Sequence, residues 1–156
     1  MSAVSERRRA RELALQACYA IEMSANRPEF TLEDVILSRD ESKPILEFAK
    51  ELFLRTVEHG KELDGLIKEK AVNWEFSRIA VLDKLILRVA ICEFLYFHDI
   101  PPKVSIDEAI EIAKKYSTEK SGRFVNGILD AILISLREAG RLQKSGRGLS
   151  DGKERF

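Results

Sequence analysis

Apolar residues recur at intervals of three and four along most of the chain, the spacing of a helix with one buried face. Ala10, Leu13, Ala14, Ala17, Cys18 and Ile21 form such a face from about residue 5 to 24, and Asn26-Arg27-Pro28 breaks it. A short helix is expected next, with Thr31 as N-cap and Asp34 three residues on. Ser42-Lys43-Pro44 opens another, with Ile45, Phe48, Ala49, Leu52, Phe53 and Val57 as its buried stripe and Gly60 as its end. A shorter helix near Glu62 to Lys70 leads into Asn73-Trp74.

From Ser77 to about Phe97 the pattern widens. Ile79, Leu82, Leu85, Ile86, Val89, Ala90 and Phe94 supply one face, Val81, Leu87, Ile91 and Cys92 broaden it, and only a band with Asp83, Lys84 and Arg88 stays polar. A helix apolar over most of its circumference belongs in the middle of a bundle. Asp99-Ile100-Pro101-Pro102 stops it, because neither proline extends the hydrogen-bond ladder. Ser105-Ile106-Asp107-Glu108 reads as a capping box for the next helix. A polar connection, Tyr116 to Gly122, precedes a last helix on Val125, Ile128, Leu129, Ile132, Leu133 and Leu136 that Gly140 ends. No period-two strand, internal repeat or second domain is visible. The expected fold is all-α, a single bundle of about seven helices over residues 1–140. A flexible, basic tail is expected over 141–156, where no apolar period continues.

At 156 residues the chain is long enough to bury a sizeable core without staples. Cys18 and Cys92 lie inside apolar helical patterns with no CxxC spacing, which points to buried thiols in a reducing compartment rather than to a disulfide. The N-terminus is arginine-rich with no apolar stretch behind it, so no signal peptide is read and a cytoplasmic location is expected. The net charge is zero, which argues against a generic nucleic-acid binder, but it is unevenly spread. Residues 1–11 and 137–156 each carry a net +3, leaving −6 on the body between them. Basic ends on an acidic body fit an anionic partner and a cationic one.

The sharpest local signal is Arg7-Arg8-Arg9-Ala10-Arg11 at the apparent start of the first helix. A helix start carries partial positive charge, so cations there cost a few tenths to about 1 kcal/mol each. Stability alone favours Asp or Glu in those places. Four arginines there make an anion-binding surface, and nucleic acid is the common cellular polyanion; a solvated basic arm is the plainer alternative. Nothing in the sequence signals an enzyme: there is no phosphate-cradling glycine loop, His59 and His98 each sit alone near a helix end, and no nucleophile has a recognisable base. No metal or cofactor is expected.

One long segment narrows the field. Ile100-Pro101-Pro102-Lys103-Val104 through Lys115-Tyr116, then Arg123-Phe124-Val125-Asn126-Gly127-Ile128-Leu129-Asp130, resembles the NusB family of bacterial transcription antitermination factors. The arginine run and Leu87-Arg88-Val89-Ala90-Ile91 match in order and spacing, so the resemblance spans about residues 5–138. It implies a non-enzymatic, all-helical protein that pairs with the NusE ribosomal protein, binds boxA RNA in nascent ribosomal RNA transcripts and promotes read-through by RNA polymerase in the antitermination complex.

Under that resemblance Arg7, Arg8, Arg9 and Arg11 contact RNA. A second contact is expected from Tyr116, Lys120, Arg123 and Phe124, because single-stranded RNA is read by bases stacking on aromatic or guanidinium planes. Phe124 also shares a face with Ile128, so a core role stands beside stacking. Asn126-Gly127 is expected to serve helix packing. Asp83, with Lys84 and Arg88, falls where the family presents an acidic residue to NusE. Two other readings remain open: a helical interaction module or homodimer without obligatory RNA binding, and an isolated RNA-binding module like that fused to ribosomal RNA methyltransferases.

Overall fold

The computed structural model describes residues 3–73 and 75–150, with side chains described from Glu6 onward. Trp74, expected at the end of the fourth helix, and residues 151–156 of the expected tail lie outside the described residues. Among the described residues seven α-helices follow in order: α1 (Ala3–Ser24), α2 (Pro28–Thr31), α3 (Lys43–Glu58), α4 (Gly60–Lys70), α5 (Val81–Tyr96), α6 (Pro102–Tyr116) and α7 (Glu119–Glu138). No strand occurs among the described residues.

The helices gather into two compact units, one ending at Gly60 and the next beginning at Lys61. In the first, α1 packs on α3, and the π-helical segment Leu32–Leu37 packs on both. The stripe expected on α1 is buried at Ala10, Leu13, Ala14, Ala17 and Cys18, facing Ile45, Ala49, Leu52 and Phe53 of α3 within this unit's core. Thr31 does not cap a helix. It ends α2, is buried, and runs straight into the π-helical turns, so the expected start at this residue is three positions late.

In the second unit α5 packs against α6 and α7, which also pack on each other. Eleven α5 residues are buried, as its nearly all-round apolar pattern requires. The capping box expected at Ser105 is absent, because α6 begins three residues earlier on Pro102, where a proline fits the first turn. Ser105 is instead inside the helix and buried, its hydroxyl donating to Glu93 Oε1 at 2.8 Å. α7 carries a cap that the sequence reading did not assign: the Thr118 hydroxyl accepts the backbone N–H of Ser121 at 3.0 Å. Close approach of α6 and α7 occurs at Gly122, where a β-carbon meets Lys114 Cγ at 3.0 Å and Ile110 Cγ2 at 3.7 Å. Gly127, expected to serve that purpose, faces open space.

Gly140 turns the chain out of α7 with φ +68. The segment after it, read from sequence as the start of a flexible tail, is docked up to residue 150. Lys144 Nζ donates to the backbone carbonyls of Glu93 (2.9 Å) and Phe97 (2.8 Å), and the Ser145 N–H donates to the carbonyl of His98 at 3.0 Å. A cation on carbonyls at the end of α5 satisfies groups the helix leaves unpaired. Gly148 is buried against the His98 carbonyl, too close for any side chain. Such docking leaves no apolar periodicity to read.

Candidate nucleic-acid interface

The arginine run is not a uniform brush. Positions 7 and 11 are one turn apart, and both guanidinium groups lie over the ring of Phe48 on α3, at 4.3 and 5.6 Å from its centroid. Arg11 is only 3% exposed, so its charge is held inside the unit rather than offered to solvent. Arg9 turns elsewhere, its Nε 2.6 Å from Glu41 Oε2 and its Nη1 3.6 Å from Glu12 Oε1. Arg8 is half-buried. These contacts order the guanidinium groups before any anion arrives, which lowers the entropy a ligand must otherwise supply.

The second expected contact is assembled at the α6–α7 turn. Tyr116 ends α6 and is 40% exposed, with Lys115 Nζ 5.2 Å from its ring centroid. Lys120 and Arg123 are exposed in the first turns of α7, and Phe124 is half-buried. The packing of Gly122 on Lys114 draws this turn of α7 against the end of α6, so the aromatic and basic residues share one corner of the unit.

Beneath that corner lies a hydroxyl network that sequence reasoning missed. The Ser121 hydroxyl donates to Asp83 Oδ2 at 3.2 Å and lies 2.8 Å from the Ser117 hydroxyl. Asp83 is 7% exposed, and its other oxygen, Oδ1, has no hydrogen-bond partner among the described residues. Burial pushes its carboxyl above the usual carboxylate range, and the Ser121 hydrogen bond pulls the other way. A polar residue on an otherwise apolar helix marked Asp83 in the sequence; only folding brings Ser121 to it. Its two companions in the polar band are engaged locally. Lys84 Nζ sits 4.5 Å from the Phe76 ring centroid, and Arg88 forms a two-pronged pair with Asp64 of α4 at 2.6 and 2.8 Å. Asp83, Lys84 and Arg88 are therefore adjacent, but they do not form one outward band.

Over residues 8–133 the chain matches the model of the NusB family. The chain belongs to the NusB family. It is 48% identical over 147 residues to the transcription antitermination protein NusB of Salinibacter ruber, covering 94% of this chain and 92% of that one. Among solved structures it is similar to T. maritima NusB, with 41% identity, a TM-score of 0.75, and 81% and 89% of the two chains covered. It is also similar to a chain in the crystal structure of antitermination factors NusB and NusE in complex with dsRNA. There the identity is 26%, the TM-score 0.76, and 84% of this chain and 98% of that chain are covered. The NusB match includes the arginine run from Arg8 and the whole α6–α7 corner. It stops short of residues 141–150, which dock at the end of α5.

Among the described residues no group of three or more His, Cys, Asp or Glu is placed to hold a metal ion, and no helix is long and apolar enough to cross a membrane. Cys18 and Cys92 are both buried, and neither forms a disulfide.

Proposed function

We propose that this chain is a transcription antitermination factor that, with the NusE ribosomal protein, binds boxA RNA in nascent ribosomal RNA transcripts and promotes read-through by RNA polymerase. Family membership at high identity and coverage supports the reading, together with the likeness to a chain in the structure of NusB and NusE in complex with dsRNA. The carrying observation in this chain is the arginine run, pre-ordered on Phe48 and Glu41. Because α1 begins at Ala3, the run occupies its second and third turns and not the helix start expected from sequence, so the dipole penalty does not reach it. The role is non-enzymatic, and its place is the cytoplasm, where nascent transcripts are made.

Two surfaces take part in RNA contact under this proposal. Arg7, Arg8 and Arg9 supply charge to phosphates, while Arg11 acts from inside by holding Phe48. Tyr116, Lys120, Arg123 and Phe124 supply stacking planes and two more cations. Asp83 is the acidic group toward the basic ribosomal protein under this proposal; at 7% exposure, with Oδ1 buried, it acts through its charge and not through a surface hydrogen bond. Lys84 and Arg88 support that surface by fixing the first turns of α5 to Phe76 and Asp64.

The test is co-purification with the NusE-type protein, followed by titration of the complex with boxA RNA and a scrambled single strand. Tighter binding of boxA than of the scrambled strand is expected. Equal affinity for both, or no complex with the ribosomal protein, contradicts the proposal.

A further inference from the structure

The first unit holds a cleft of about 210 Å³ between α1 and α3, lined by Glu6, Arg7, Ala10, Pro44, Ile45 and Phe48. Its floor is apolar, with Ala10 and Ile45 buried, while a carboxylate and a guanidinium stand at its edge. That composition is wrong for a phosphate, which needs donors on several sides and meets hydrocarbon and a carboxylate here. It is right for a flat, apolar-faced group whose rim carries N–H donors. The volume is below the range of drug-sized pockets and suits a single ring system.

We propose that this cleft receives one unstacked, amino-bearing nucleobase of the bound RNA. The inference rests on the RNA reading above. The occupant follows from charge: the cleft is edged by the first member of the arginine run, so a strand drawn to those cations carries its bases past the opening. The base packs beside the Phe48 ring, over which the Arg7 guanidinium carbon lies 4.3 Å from the centroid. Glu6 accepts from the base's exocyclic amine, the pairing by which carboxylates read cytosine. Uracil presents carbonyl oxygens where the amine is needed, so the site discriminates against it.

The experiment uses the full chain with the NusE-type protein and boxA RNA in which one abasic nucleotide is walked along the strand. In wild type, one position costs about tenfold in affinity, more than its neighbours. With Phe48→Leu that position's penalty disappears. With Glu6→Gln, which leaves the apolar packing intact, the preference for an amino-bearing base over uracil at that position is lost. Should Phe48→Leu fail to fold, Glu6→Gln decides: retained discrimination overturns the proposal. A flat abasic profile with salt-dependent binding intact overturns the cleft and leaves the RNA reading standing. Failure of the wild-type complex to bind RNA overturns both. If Phe48→Leu weakens only the ribosomal protein's binding, the cleft takes a protein side chain and the base proposal is wrong.

Discussion

The Ser121 hydroxyl of α7 donates to Asp83 Oδ2 of α5 at 3.2 Å, joining the residue proposed to meet the protein partner to the turn proposed to meet RNA. The bond satisfies only half of a buried carboxylate. Oδ1 remains without a partner, and burial holds the carboxyl above its ordinary range. Stability is therefore sacrificed at this position.

Asp83→Asn removes a buried charge while leaving an acceptor for Ser121, so it raises the melting temperature at pH 7 by a few degrees. The native side chain binds its proton more readily than the unfolded one. Wild type therefore gains on the variant as pH falls through the raised value, and the difference closes in acid. Melting curves at pH 7 and pH 4 check both parts; a variant less stable than wild type at pH 7 contradicts this account. The same substitution weakens co-purification of the ribosomal protein.

The docked segment makes a separate prediction. Burial lowers the Lys144 ammonium to about 8 from an ordinary value of 10.5, partly offset by Glu93 and Asp99. Below pH 8 the group is charged whether docked or released, and above 10.5 it is neutral in both. Between those limits the docked form has already given up its proton, so docking strengthens as pH rises. Gly148→Ala drives a methyl group into the His98 carbonyl and releases the segment. Hydrogen exchange at the Ser145 amide reads both effects: protection rises from pH 8 to 10 after correction for intrinsic rate, and is lost in Gly148→Ala. Unchanged protection in that variant places the segment's hold elsewhere.

Phe124 separates packing from recognition. The ring is half-buried, so Phe124→Ala forfeits less than the 3–5 kcal/mol of a full core truncation. A stacked base is worth about 1–3 kcal/mol, so RNA affinity falls about tenfold while the melting temperature drops only a few degrees. Anisotropy and thermal melts on the same samples decide. A large melting loss with affinity unchanged assigns the ring to the core.

Helix existence was legible because each amphipathic stripe repeats with helical period: the α7 stripe is buried throughout, and those of α1, α3 and α5 are buried except at Ile21, Phe48, Val57, Val81 and Leu82, which are half-buried. Boundaries were less so. Pro102 starts α6 although the polar pattern at Ser105 imitates a cap, since a hydroxyl donating to Glu93 and one accepting from the backbone look alike in sequence. The division after Gly60 left no trace because α4 follows α3 almost directly, without a linker of distinct composition. In the candidate interface, residue types were readable and roles were not. Arg7, Arg8, Arg9 and Arg11 are equivalent on paper. Their separation into stacked, ion-paired and buried groups depends on Phe48 and Glu41, more than 30 positions away.

The central claim is that RNA phosphates lie against the cations of α1 and the α6–α7 corner, and the salt dependence of boxA binding tests it most directly. Each phosphate of a single strand that the protein no longer neutralises reduces the slope of log K against log salt by about 0.7. With the NusE-type protein present, Arg8→Ala and the pair Lys120→Ala, Arg123→Ala are each predicted to lower that slope, by the equivalent of about one phosphate for the first and about two for the second. Slopes equal to wild type in both variants, with affinity intact, would mean that the strand contacts neither of these sets of cations.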